Sequence, residues 1–152
     1  MSFSWTPHRF SGGALALDVA NSVILRHDDE RRIDRFEATG QLESFPKAAA
    51  NFCAERALFG DILPVRRENR ADFISLREMI DRYFRARVLG ELADLLLADL
   101  LAALAKVLKR AAADGLDAAT VHSTLRLIAM PDPERMKICR NCGWLFIDRS
   151  KN

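Results

Sequence analysis

The sequence predicts an α+β protein, a mostly helical N-terminal domain followed by a small hairpin that carries two thiols. Three observations predict it. From Asn69 to Ala129 apolar residues recur at three- and four-residue intervals, the period of helices with one buried face. Pro131 and Pro133 then end that pattern and mark a linker. Beyond them, Met136 and Ile138 and the run Trp144-Leu145-Phe146-Ile147 read as two strands around Cys139-Arg140-Asn141-Cys142. Gly143 supplies the conformational freedom that a tight turn at this point needs.

In chain order, residues 1–13 form an aromatic arm that ends in a Ser11-Gly12-Gly13 turn, with Trp5 and Phe10 expected to cap the core. Residues 14–25 are ambiguous: Leu15, Leu17 and Val19 alternate like a strand, whereas Leu17, Ala20 and Ile24 share a helical face. Helix is the preferred reading. Asp18 and Asn21 then share a face and could meet one ligand, or simply satisfy backbone groups near the Gly-Gly turn. Asp28 to Arg32 is a charge run, read as a solvated loop or helix start. Thr39-Gly40 reads as a break, and Pro46 as the first turn of a helix over Lys47 to Ala57, with Phe52 and Leu58 facing inward. Cys53 reads as a small core residue.

From Asn69 to Val88 a helix turns Phe73, Leu76, Ile80 and Val88 inward and Arg77, Asp81, Arg82 and Arg85 outward. Residues 91–113 form a Leu- and Ala-rich helix with a narrow polar stripe, either central to the core or half of a dimer interface. The core reading is favoured. Asp114-Gly115 stops that helix, and Asp117 is expected to cap a last one through Ala129.

Composition narrows the functional classes. With 49% hydrophobic and 29% charged residues in 152, the chain reads as one ordinary domain and a small appendage. The richest apolar stretch, Leu92 to Ala105, contains Asp94 and Asp99 and is not a membrane span. The first ten residues lack the pattern of a signal peptide, and three cysteines with one close pair suit a reducing cytoplasm. Residues 135–152 hold five bases and one acid, while the rest carry 18 bases and 20 acids. A basic appendage on a slightly acidic body fits an anionic partner, nucleic acid first, or else merely keeps an exposed hairpin soluble. No nucleophile–base set, phosphate loop or paired-carboxylate signature is evident, so no enzyme is expected.

Two thiols two residues apart can grip one ion, which makes Cys139 and Cys142 half of a Zn²⁺ site. A redox pair is the weaker alternative, since no βαβ pattern surrounds it, and two plain thiols is the other. His8, His27 and His122 lie far off in sequence.

Two stretches carry a family resemblance. One is Gly12, Gly13, Leu17, Asp18, Val19, Ala20, Asn21 and Ser22; the other is Cys139, Cys142, Phe146, Asp148, Ser150 and Asn152. In these the chain resembles the bacterial ABATE-domain proteins with a CGNR-type zinc finger, described as stress-induced transcription regulators. It departs from them at Ser22, where Thr is commoner, and at Lys151, where Arg is. The family pattern continues with a basic run and two further cysteines, so the resemblance implies that the finger is cut short at Asn152. It implies an ABATE-like ligand-binding domain over 1–131 and, over 132–152, the first hairpin of a treble-clef-like finger. Asp18, Asn21 and Arg26 are then the candidates for a small-molecule ligand, and Arg140, Arg149 and Lys151 for DNA phosphates. The expectation is a cytoplasmic, ligand-responsive, DNA-binding regulator. The alternative is an interaction module, a homodimer through the Leu92–Ala113 helix, with the finger as a structural clip.

Overall fold

The structure, a computed structural model, describes residues 3–150. α1 (Leu15–Ala20) is only six residues long, yet every one of them is buried. A helix this short gains little from its own hydrogen bonds, so packing must hold it. It lies between two apolar clusters. Ala16, Leu17 and Ala20 enter one, and Leu15 and Val19 enter the other. The preferred helical reading of this stretch holds for α1, after which the chain extends as β1 (Val23–Ile24). β1 pairs antiparallel with β2 (Ile33–Asp34), and the Asp28–Arg32 charge run is the exposed connection between them.

α2 (Thr39–Phe52) begins eight residues before the expected start and carries Pro46 in its interior. A proline there forfeits one helical hydrogen bond. The burial of Leu42, Phe45 and Ala49 on one face, with Phe36 and Phe10 packed edge-on or tilted against Phe45, offsets the loss. α2 stops at Cys53, and the single turn α3 (Arg56–Phe59) restarts with a new phase. That change of phase puts Leu58 in solvent and not inward as its spacing suggested.

α4 (Arg70–Val88) and α5 (Asp94–Arg110) pack side by side, and α6 (Leu116–Ile128) closes against α1 and α5. Gly115, not Asp117, occupies the cap position of α6. α5 does not run through the core. It buries Leu100, Leu104 and Val107 along one stripe and leaves Leu95, Leu101 and Leu108 exposed on its outer side. No helix among the described residues is long and apolar enough to cross a membrane.

β3 (Met136–Ile138) and β4 (Leu145–Ile147) form the expected antiparallel hairpin, with Lys137 opposite Phe146. The chain is thus α+β, mostly helical, with two small hairpins. Among the described residues the second hairpin shares the core of the helical body. Met136 and Leu145 are buried in the same cluster as Leu76, Ile80 and Phe84 of α4.

Arg77 and Asp81, both expected on the outer face of α4, are instead inside. Arg77 is 1% exposed and donates to both carboxylate oxygens of Asp34, each at 2.7 Å, and to the Ser22 hydroxyl at 3.2 Å. The β1–β2 hairpin covers this face, and a buried guanidinium is tolerated only because its fork is met by a matching carboxylate. Burial alone would raise the Asp34 carboxyl, but Arg77 outweighs it and holds it below its ordinary range. Replacing Arg77 by Met strands the Asp34 charge, and is expected to cost about 3–5 kcal/mol in chemical unfolding. A loss under about 1 kcal/mol would contradict the pairing.

Candidate functional site

The hairpin tip carries both thiols on one tight turn. Gly143, at φ 74°, turns the chain back, its amide donating to the Cys139 carbonyl at 2.9 Å. The Cys139 amide reaches the Trp144 carbonyl at 2.8 Å. The amides of Cys142, Asn141 and Gly143 are directed at the Cys139 sulfur, which lowers its pKa. Burial raises the Cys142 thiol, with the Trp144 amide opposing it. Amide donors around a sulfur favour the thiolate, the form that binds metal. The tip therefore fits two ligands of a Zn²⁺ site, Cys139 and Cys142. Among the described residues no group of three or more His, Cys, Asp or Glu side chains could hold a metal, so this half-set has no third donor within them.

The outer edge of β4 is covered by α1 and the turn before it. The Leu145 amide donates to Asn21 Oδ1 at 3.1 Å, and Asn21 Nδ2 donates to the Leu145 carbonyl at 2.9 Å. One carboxamide thus stands in for a neighbouring strand. The Ile147 amide continues the row to the Gly12 carbonyl at 2.9 Å. Gly13, at φ 87°, carries its backbone close to Ile147, and Arg149 donates to its carbonyl at 3.0 Å. A side chain at Gly12 would meet Asp18 and Leu17 inside 3 Å.

Asp18, Asn21 and Arg26, expected around one ligand, have three different settings. Asp18 is buried in the body, where its Oδ1 accepts the Gly12 amide at 2.9 Å. This is the local backbone role that the spacing also allowed. Asn21 bridges to the hairpin. Arg26 donates to the Ala20 carbonyl at 2.7 Å, bonds Glu78, and lies 3.3 Å from Asp81. Asn21 and Arg26, without Asp18, do line one cleft of about 280 Å³ where body and hairpin tip meet. Leu25, at φ 51°, bends the chain along one wall, and Asn141, Cys142 and Trp144 supply the other. A non-glycine residue in the left-handed region persists only where its surroundings hold it there.

Arg85 was not singled out as a site residue. It pairs with Asp81 at 2.8 Å and donates to the Gly143 carbonyl at 2.9 Å, tying α4 to the thiol turn across this cleft. The i,i+4 spacing from Asp81 was its only signal in the sequence. Of the three residues read as DNA contacts, Arg140 is exposed at the tip, Arg149 is exposed but bound to Gly13, and Lys151 lies outside the described residues. Lys137 and Ser150 hold the Asp148 carboxyl far below its ordinary range and fold the C-terminal motif into a turn. Comparison of the chain with protein families, characterised proteins and solved structures yields no match.

Two outcomes follow from this joint. Asn21→Ala removes two hydrogen bonds from buried backbone and is expected to destabilise the chain by about 2–4 kcal/mol in urea unfolding, where a change under about 0.5 kcal/mol would contradict the bridge. Burial raises the Asp18 carboxyl to about 7, against the opposing pull of the Gly12 amide. The folded state then holds a proton that the unfolded chain releases near pH 4, so this contribution to stability is lost as pH rises from about 4 through 7. Asp18→Asn is expected to flatten that slope, and an unchanged slope would assign it to other groups.

Proposed function

We propose that the chain is the sensing and knuckle-bearing part of a transcription regulator, in which a small ligand adjusts how a zinc finger is presented to DNA. The observation that carries the reading is the cleft shared by the helical body and the Cys139–Cys142 turn, with Asn21 and Arg26 on one side and Asn141 and Trp144 on the other. A ligand seated there touches both parts, so its binding energy can bias their relative arrangement. Its volume of about 280 Å³ suits a small metabolite. The lining mixes apolar carbons with guanidinium groups already engaged by carboxylates, which favours a compact, partly polar molecule over a bare anion. The resemblance to ABATE-domain proteins with CGNR-type fingers supports the same reading.

Cys139 and Cys142 are the zinc ligands in this account, and zinc would act there as a structural clamp. Arg140 and Lys151 would contact phosphates, adding affinity without sequence preference. Arg149 is partly committed to the Gly13 carbonyl. The test uses the full-length protein. One zinc per chain is expected, lost in Cys139→Ser, together with DNA retention that weakens steeply with salt. Arg140→Ala is expected to reduce the salt slope by about one phosphate contact. A protein without metal, or one whose DNA retention ignores salt, would contradict the proposal.

A further inference from the structure

The geometry points to α5 as a self-complementary surface that pairs with α5 of a second copy, antiparallel about a two-fold axis. This inference is independent of the zinc and DNA reading. α5 packs on α4 and α6 with one stripe only, and its outer side carries exposed Leu95 (71%), Leu101 (44%) and Leu108 (41%). Between them alanines 98, 102 and 105 are exposed, and Asp99 and Lys106 are exposed along one flank of the strip. Single exposed leucines are ordinary, but three along one 17-residue helix, interleaved with small residues, make an apolar strip about 20 Å long.

The order of residues along this strip selects the partner. A two-fold axis crossing the helix between Leu101 and Ala102 sets each outward residue against its mirror position in the other copy. Leu95 then meets Leu108, Ala98 meets Ala105, and Leu101 meets Ala102. At both ends Asp94 meets Lys109. Each apolar position of the strip finds an apolar one and Asp94 finds Lys109 at both ends, as an isologous contact requires. The alanines let the two backbones approach closely at the centre, near the short end of helix–helix distances. Within the chain, Asp72 engages Lys106 at 3.2 Å and Arg110 at 3.5 Å, while Asp94 and Lys109 form no ion pair among the described residues. A parallel pairing would set Asp94 against Asp94 and Lys109 against Lys109, and is disfavoured by like charge.

The test is sedimentation equilibrium of the 152-residue chain across a micromolar concentration series, with circular dichroism to verify that each variant is folded. A dimer is expected for the unmodified chain. Ala102→Arg places two like charges beside the axis and is expected to give a folded monomer. Asp94→Lys and Lys109→Asp, each alone, are expected to raise the dissociation constant about tenfold, and the two together to restore it to within about threefold. A monomer throughout the series would overturn the inference, as would a dimer that Ala102→Arg leaves intact. Failure of the double charge reversal to restore what the single ones lose would overturn the antiparallel register.

Discussion

The structure depends most on how one side chain closes the edge of a strand. β4 is a three-residue strand paired on one side only, and an open edge of buried backbone is expensive. Asn21 meets both polar groups of Leu145, and Gly12 meets Ile147. Because Asn21 sits at the end of a fully buried helix, the hairpin inherits its position from α1. Gly12 is held in turn by Asp18 from that same helix. The short α1 therefore anchors three things together: the two apolar clusters, the Gly-Gly turn and the thiol-bearing hairpin.

A second layer of order comes from charge. Arg77 with Asp34 fastens the β1–β2 hairpin over α4, and Arg26, Arg85, Glu78 and Asp81 extend the pairing toward the thiol turn. Arg26, Asp81 and Arg85 also border the cleft, so charged groups that shape it are already paired with one another. A ligand entering there meets a pre-arranged wall and need not neutralise an isolated buried charge. The same pairs link α4 to the Gly143 carbonyl, so a ligand that disturbs them acts on the turn that carries both thiols.

Much of this was legible in the sequence, and the limits have physical causes. The long helices and the C-terminal hairpin announce themselves by period and by composition, because their stability rests on faces that local sequence defines. The burial of Arg77 did not, since it depends on Asp34 arriving from 43 residues away. Pro46 reads as a helix start because its intrinsic preference is strong, and burial of Leu42 and Phe45 overrides that preference. The motif around Asp18 and Asn21 was visible as polar residues in an apolar run. What such residues bind cannot be read from spacing when the partner is a backbone 124 residues distant. For α5, an apolar circumference favours the core without excluding an interface, and only packing against α4 and α6 shows which stripe remains outside.

The central claim is that body and hairpin form one cooperative unit through α1. Native-state hydrogen exchange at the Leu145 and Ile147 amides tests it most directly. Both amides are expected to exchange only with the global opening that also releases the amides of α4. Rapid exchange at these two positions while α4 stays protected would show that the hairpin opens on its own, and would contradict the account.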